Sequence, residues 1–317
     1  MSLGEENMAK SKKIAIWATC IAGILILVLV GATVFYGNYL LNKIDKVEID
    51  KENVGITEEV EEKLAQYDDK ITNIALFGID AEDGGVGRAD SIIIATLDFH
   101  NKKIKLTSIM RDSYVDIDGY GTDKINHAYA FGGAELAIKT LNQNFNLNIE
   151  DFVAVNFTTM PKIIDKIGGI TVDITSEEVS HIQGIDSAGT YNLTGDQALA
   201  YSRIRYATGG DYVRTERQRT VLTKIFEKIL AMNPTKYPGL LSEVLPMVKT
   251  SFSSTEILEL GTEVLSMGVA SLEQERFPLD GYCEGKMIDG IYYLTFDKDA
   301  TVNQLHEYIF EDKKIWE

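Results

Sequence analysis

The chain has 317 residues, of which 45% are hydrophobic and 25% charged, the composition of an ordinary globular protein with a sizeable core. Its 48 acidic and 31 basic side chains give a formal charge of −17, which argues against general nucleic-acid binding, because that needs a cationic surface. Five of the eight arginines lie between Arg203 and Arg219, and this clustering predicts one local site for an anionic group.

The N-terminal region contains an uncharged stretch of 23 residues, Ile14–Tyr36. As a helix it would be about 35 Å long, enough to cross a hydrocarbon core of about 30 Å. Three lysines within Lys10–Lys13 favour an inside N-terminus, and Val34–Tyr36 is a poor cleavage site. We therefore predict a cytoplasmic tail over 1–13 and an uncleaved transmembrane signal anchor over 14–36, in preference to a cleaved signal peptide or a buried core helix.

Beyond the anchor, polar residues 37–70 predict a stalk or linker, and 71–317 a catalytic domain outside the cytoplasm. Strands and helices alternate there without a repeat, which predicts an α/β fold with three α/β/α layers and a central mixed sheet. The predicted elements are strands over 73–79, 91–98 and 103–110, a turn at 119–121, a helix over 134–144, a strand over 151–156, a helix over 161–166, a strand over 171–174, helices over 194–201 and 212–232, further helix to about 272, strands over 276–278 and 291–296, and a helix over 302–310.

Two aspartates, Asp80 and Asp90, flank the Gly-rich loop predicted over 81–88. Both stand at junctions of strand and loop, and adjacent strand ends can bring two carboxylates together. Hard divalent cations prefer such oxygen ligands. Capping of loop backbone groups is the alternative for both residues.

Arg111 follows the buried strand predicted over 103–110. A guanidinium at the end of a buried strand is costly unless it is paired. It would therefore form a salt bridge with an aspartate or contact an anionic ligand.

The densest cluster of charged residues begins with Arg203 and Arg205, which point to one side if the segment is extended. On the next predicted helix, i, i+3 and i+4 spacing places three polar side chains on one face: Asp211, Arg214 and Gln218. That face continues as an apolar stripe, a pattern suited to a phosphate with an apolar substituent. The alternative is a structural ion-pair network through Asp211 and Glu216.

Taken together, these residues resemble the LytR-CpsA-Psr family of envelope enzymes. The motifs match in the family's order over roughly 71–230, although Ala89, Ser91 and Met110 depart from the usual residues at their positions. The matching pieces are Gly78-Ile-Asp80, Arg88-Ala-Asp90-Ser, Met110-Arg111-Asp112, Lys124-Ile-Asn126-His127-Ala-Tyr129, Phe131-Gly-Gly133, Asp165-x-x-Gly168-Gly169, Leu193-x-Gly195-x-Gln197-Ala-Leu-Ala-Tyr201-x-Arg203-x-Arg205, and Asp211-x-x-Arg214-x-x-Arg217-Gln218.

The resemblance implies a phosphotransferase of the plasma membrane in a Gram-positive-type envelope. It would move a glycan 1-phosphate, from teichoic acid or capsular polysaccharide, off a polyprenyl pyrophosphate carrier and onto peptidoglycan, with the prenyl chain in an apolar tunnel. By the same resemblance, Asp80 and Asp90 would bind Mg²⁺ or Mn²⁺. The residues expected to bind or polarise the pyrophosphate are Arg88, Arg111, Arg203, Arg205, Arg214, Arg217 and Gln218.

In the implied reaction, the acceptor hydroxyl attacks the phosphorus that carries the sugar, and prenyl phosphate leaves. Three arginines, Arg111, Arg203 and Arg205, are the expected catalytic cations, and Asp211 is a candidate base. Two alternatives remain at this point. One is a pyrophosphatase that uses water as the acceptor, and the other is a non-catalytic, lipid-phosphate-binding regulator, which would not need Asp80 and Asp90.

Overall fold

The computed structural model describes residues 45–67, 70–81, 87–205, 210–269 and 272–314. They belong to the second of two units of the chain, Ile44–Glu317. The predicted tail and signal anchor over 1–36 lie outside the described residues. Within those ranges, no helix is long and apolar enough to cross a membrane.

Seven strands form a mixed central sheet in the order β1-β10-β7-β2-β3-β4-β11, and three two-stranded sheets pair β5 with β6, β8 with β9, and β12 with β13. The described strands are β1 (Asp45–Lys46), β2 (Ile71–Asp80), β3 (Arg88–Asp98), β4 (Lys103–Ile109), β5 (Tyr114–Ile117), β6 (Gly121–Lys124), β7 (Asp151–Asn156), β8 (Ile170–Ile174), β9 (Gly189–Leu193), β10 (Val248–Thr250), β11 (Glu273–Phe277), β12 (Cys283–Ile288) and β13 (Ile291–Phe296). The predicted α/β fold with a central mixed sheet is confirmed.

Helices lie on both faces of this sheet. The described α-helices are α1 (Glu58–Leu64), α2 (His127–Phe145), α3 (Met160–Lys166), α4 (Gly195–Ser202), α5 (Gly210–Leu230), α6 (Tyr237–Val244), α7 (Ser254–Met267) and α8 (Lys298–Phe310).

The central strand β3 explains why both faces are covered. Side chains alternate along a strand, so its uninterrupted apolar run presents Ile92 and Ile94 to one face and Ile93 and Leu97 to the other. The first pair packs in the core with α2 and α8. The second packs with α5 and α7.

Part of the segment predicted as a stalk belongs to this fold. Val54 and Leu64 are 0% and 1% exposed, and with Val60 they join the core that contains α2 and α8. Val60 and Leu64 are four residues apart, so α1 buries both on one face although the segment is otherwise polar. The folded unit therefore includes residues 45–67, and the predicted start at Ile71 falls too late in the chain.

One edge of the sheet collects the predicted site residues. Strands β2, β4 and β7 run in the same direction and end at this edge, and the antiparallel β3 begins there. The edge therefore receives Asp80 from β2, Asp90 from β3, and Arg111 just beyond β4. Of the loop predicted over 81–88, residues 82–86 lie outside the described ranges.

Candidate functional site

At this edge lies a cavity of about 300 Å³ whose lining combines carboxylates and guanidinium groups. It brings together six of the ten side chains that the sequence analysis predicted for the site. The lining residues are Asp80, Asp90, Phe157, Arg203, Arg205, Arg214 and Gln218.

A β-bulge directs Asp90 toward the cavity. Ser91 pairs with Gly78 and Ala89 pairs with Ile79, so Asp90 is the extra residue between the two pairs. Such bulges often re-aim one side chain next to an active site. The carboxylate is only 6% exposed and accepts a hydrogen bond from Asn126 Nδ2 at 3.1 Å, which fixes its position.

The second carboxylate, Asp80, is held less firmly. Arg203 Nη2 donates to Asp80 Oδ1 at 2.8 Å, and both side chains are 47% exposed. The Arg203 guanidinium lies 5.0 Å from the centre of the Phe157 ring. Exposed ion pairs contribute at most about 1 kcal/mol, so Arg203 can move from Asp80 to an incoming anion at little cost.

Arg111 lies behind the cavity and joins its carboxylates. Its guanidinium is 3.1 Å from Asp90, 3.4 Å from Asp112 and 3.7 Å from Asp211. Burial opposes its charge, but the three carboxylates, above all Asp211, raise the pKa of Arg111. Of the two predicted alternatives for Arg111, a salt bridge and a ligand contact, the structure shows the salt bridge, which also positions Asp90.

Helix α5 supplies a buried cation. Arg214 is 2% exposed, and its Nη2 donates to Asp211 Oδ2 at 2.9 Å. Burial, together with the charges of Arg111 and Arg205, lowers the pKa of Arg214 to about 10. Among the described atoms its Nε has no hydrogen-bond partner. The positive charge of Arg214 is therefore incompletely compensated in the fold, and an anion in the cavity would stabilise that charge.

Arg203 differs from the expectation of an extended segment. It is the C-cap of α4 with right-handed helical backbone angles (φ −99°, ψ −3°). A capping box formed by Thr194 and Gln197 starts this helix, and the helix ends where its last residues meet the cavity. Both Arg203 and Arg205 line the cavity, although not through the predicted alternation.

Besides Arg111, two predicted binding residues, Arg217 and Arg88, are not brought to the cavity lining. Arg217 Nε donates to Glu178 Oε1 at 2.6 Å, and its Nη1 donates to the Ile204 carbonyl at 3.3 Å. This buried ion pair makes Arg217 a structural residue with Glu178 as its partner, an acid that the predicted alternative network through Asp211 and Glu216 did not include. Arg88 is exposed at the start of β3, opposite Asp80 in the strand register.

Phe157 lines the cavity, and the sequence analysis missed it. It follows the end of β7, the strand parallel to β2, so its place directly after a strand was the available signal. Asn126 occurs in one of the matching motifs but was assigned no role from the sequence. Its contact with Asp90 spans 36 residues of sequence and requires the tertiary structure.

The donor set fits a hard divalent cation. Among the described residues no group of three acidic, histidine or cysteine side chains could hold a metal ion. Mg²⁺, however, is usually bound by one or two carboxylates together with phosphate oxygens and water. Asp80 and Asp90 provide two carboxylates on one cavity beside guanidinium groups that suit phosphate.

Comparison with known proteins places this arrangement in context. The model of the LytR_cpsA_psr family matches residues 37–308. The polyisoprenyl-teichoic acid–peptidoglycan teichoic acid transferase TagU of Enterococcus faecalis is 35% identical over 298 residues, which cover 92% of this chain and 94% of that protein.

Two solved structures of TagT from Bacillus subtilis are also similar. TagT bound to LIIa-WTA has a TM-score of 0.64 at 27% identity, over 77% of this chain and 91% of that chain. The LytR-CPS2A-psr family protein YwtF (TagT) with bound octaprenyl pyrophosphate lipid has a TM-score of 0.60 at 26% identity, over 77% of this chain and 90% of that chain.

Proposed function

Because the chain belongs to the LytR-CpsA-Psr family, we propose that it transfers a glycopolymer, as its 1-phosphate, from a polyprenyl pyrophosphate carrier to peptidoglycan. The relative named a teichoic acid transferase favours teichoic acid over capsular polysaccharide as the cargo. The observation that carries the proposal is one cavity that combines two carboxylates with three guanidinium groups.

The cavity side chains would bind the pyrophosphate through two kinds of donor group. Arg203, Arg205 and Arg214 bind the phosphate oxygens with planar donor groups, and Gln218 donates a neutral hydrogen bond. Arg214 and Gln218 are buried at the cavity, so they need little reorganisation as charge develops in the transition state, whereas Arg203 first leaves Asp80. The long contact between Arg111 and Asp211 helps to hold the base beside this cluster.

Asp80 and Asp90 would hold the divalent cation, Mg²⁺ or Mn²⁺. When bound, such a cation neutralises charge that develops on the phosphate oxygens. Asn126 and Arg111 fix the Asp90 carboxylate for this purpose, and transfer of Arg203 from Asp80 to phosphate frees the second carboxylate.

The transfer step forms one bond and breaks one. The acceptor hydroxyl oxygen bonds to the phosphorus that carries the sugar, and the bridging P–O bond breaks, with its electron pair leaving on polyprenyl phosphate. The hydroxyl proton passes to the Asp211 carboxylate, which Arg214 orients at 2.9 Å. Arg214 stabilises the charge on the departing oxygens, and Arg111 positions Asp90 and Asp211.

The prenyl chain would follow the apolar side of α5. Half-buried apolar side chains from α5 and α7 pack together on the sheet beyond Gln218. They offer an apolar surface next to the anion-binding cavity, as a lipid phosphate requires. These side chains are Leu222, Phe226, Ile257, Leu260 and Val264.

For location, we infer a single-pass plasma-membrane protein with its catalytic domain outside the cytoplasm. The uncharged stretch 14–36 and the lysines before it support this inference. A lipid-linked donor and a peptidoglycan acceptor meet on that side of the membrane.

The transferase proposal is tested with the full chain in detergent, a glycan-labelled pyrophosphoryl lipid, Mg²⁺ and soluble peptidoglycan oligomers. We expect label on the oligomers, and at least a hundredfold lower rate for Asp90→Ala because a fixed carboxylate of the site is lost. Asp299→Asn, an exposed aspartate in the first turn of α8, is the matched control and keeps the wild-type rate.

The products separate the alternatives. Label released as free glycan phosphate while oligomers remain unlabelled would identify a pyrophosphatase. Lipid binding with no cleavage would identify a non-catalytic lipid-phosphate-binding protein. Wild-type transfer by Asp90→Ala would contradict the site assignment.

A further inference from the structure

Several aromatic side chains of the described residues are exposed outside the cavity, and we call three of them the aromatic surface: Tyr120, Phe131 and Tyr292. They are 55%, 40% and 46% exposed, respectively. Exposed apolar groups of this size mark a site of interaction when they are clustered and held in place.

The hairpin of β12 and β13 holds Tyr292. Tyr292 is opposite Met287 in the register, and its ring extends over Gly285. A Cβ at Gly285 would lie 2.7 Å from the ring, so the glycine leaves the space that the ring occupies. The backbone of the hairpin thus supports one face of Tyr292, and the side chain remains 46% exposed.

Tyr120 and Phe131 contact each other, and these contacts fix the positions of both side chains. Their rings are stacked, with centroids 4.4 Å apart and planes 12° apart. Tyr120 Oη donates to the Phe131 carbonyl at 3.4 Å. Phe131 closes the first turn of α2, because Gly132 and Gly133 leave the helical conformation and Gly133 has a positive φ of 67°.

A chain of contacts connects this surface with the functional site. Lys124 Nζ lies 5.9 Å from the centre of the Tyr292 ring and 2.8 Å from Asp112 Oδ1. Asp112 in turn contacts Arg111 at 3.4 Å. Partial burial and the nearby charges of Asp112 and Asp211 raise the pKa of Tyr292, consistent with this proximity.

A second set of contacts joins Lys124 to the stacked pair. Its neighbour Asp123 accepts from Tyr293 Oη at 3.3 Å and lies 2.7 Å from His127 Nδ1. The His127 ring meets Phe131 edge to face at 5.8 Å. The three aromatic side chains are therefore fixed around one scaffold beside Asp112.

We propose that the aromatic surface binds the sugar rings of the acceptor glycan, an inference that rests on the proposed transferase function. The carbon–hydrogen faces of a pyranose stack on aromatic rings. We assign the aromatic surface to the acceptor because its contacts reach the functional site through Asp112. The donor cavity is lined by other residues, including Arg203 and Phe157 beside Asp80.

The test measures acceptor and donor KM separately for the full chain with soluble peptidoglycan oligomers. We expect Tyr292→Ala and Phe131→Ala each to raise the acceptor KM by about five- to tenfold, the size expected for one lost aromatic contact. The donor KM and the kcat at saturating acceptor stay within about twofold. Tyr292→Phe keeps the ring and remains close to wild type.

Leu265→Ala is the matched control, because it removes a 52% exposed apolar side chain from α7. Calorimetric binding of the same oligomers without donor keeps the two proposals distinguishable. If wild type binds oligomers through Tyr292 but does not transfer, the proposed function fails and the aromatic surface stands. Unchanged acceptor KM and oligomer binding in both alanine variants, or a raised donor KM instead, would overturn it.

Discussion

Two of the three buried arginines on α5, Arg214 and Arg217, differ in how the fold compensates their charge. Arg217 meets Glu178 at 2.6 Å, and both side chains are 6% exposed. Arg214 has the partly exposed Asp211 as its partner, and two further guanidinium groups act against its charge. We interpret Arg217 as a structural cation and Arg214 as a cation retained for the ligand.

Replacement of Arg214 should therefore lower the transfer rate and raise the stability of the fold. Burial lowers the pKa of Arg214 to about 10, so folding disfavours the charged form, which is the form present at pH 7. We expect Arg214→Met to increase the free energy of unfolding by about 1–2 kcal/mol and to lower the transfer rate at least a hundredfold. Urea denaturation and the transfer assay measure the two effects.

Arg217→Met is the comparison variant on the same helix. It leaves Glu178 buried without its cation, so we expect a loss of about 3 kcal/mol in unfolding free energy. The rate per folded molecule should stay within about threefold of wild type. Destabilisation by Arg214→Met, or a hundredfold loss of folded-state activity in Arg217→Met, would contradict these roles.

Sequence spacing predicted part of this residue-scale arrangement. Asp211, Arg214 and Gln218 share a face of α5 because helical geometry is local, and that prediction holds. The role of Arg217 depends on Glu178, which is 39 residues earlier in the chain. No spacing rule places those two groups together.

At the scale of elements, a buried lysine attaches the final helix to the sheet. Lys105 of β4 is 0% exposed and donates to the Tyr308 carbonyl at 2.6 Å, near the end of α8. Asp312, just beyond the helix, lies 3.0 Å from Lys105 and 2.8 Å from Lys103. The Asp312 carboxylate, together with that of the buried Asp98 at 3.9 Å, compensates the buried charge of Lys105.

Loss of this carboxylate should destabilise the protein in a pH-dependent way. Burial opposes ionisation, but hydrogen bonds from Lys103 and Lys105 lower the pKa of Asp312 below its ordinary value. Its contribution is therefore present above the unfolded pKa of about 3.9 and is lost as pH falls through the lower folded value. We expect Asp312→Asn to cost about 2 kcal/mol at pH 7 and less at pH 3, where part of the contribution is already lost.

Urea denaturation at both pH values measures the difference. Glu311→Gln is the matched control, because its contact with Lys313 is exposed and should contribute less than about 1 kcal/mol. An equal loss for Asp312→Asn at pH 3 and pH 7 would contradict the electrostatic explanation.

Long apolar strands and helices were predictable element by element, and short edge elements were not. The strand predicted over 151–156 is confirmed as β7 (Asp151–Asn156), and the one over 91–98 forms most of β3. The three-residue β10 lies in a region predicted as helix. Its strand conformation comes from pairing with β7 and β1, a tertiary contact that local propensity does not encode.

At the scale of the whole molecule, an acidic chain contains one locally basic site. The formal charge is −17, yet the sheet edge concentrates Arg203, Arg205 and Arg214 around one cavity. The clustering of arginines in the sequence predicted a local anion site. The contribution of Phe157 and the exclusion of Arg217 emerged only from the fold.

The most direct measurement of the central claim is a crystal structure of the chain with a polyprenyl pyrophosphate and Mn²⁺, analysed by anomalous scattering. We predict a manganese peak in contact with the carboxylates of Asp80 and Asp90, and a diphosphate within hydrogen-bonding distance of Arg203, Arg205 and Arg214. A diphosphate bound away from this cavity, or a manganese ion that contacts neither aspartate, would contradict the proposed site.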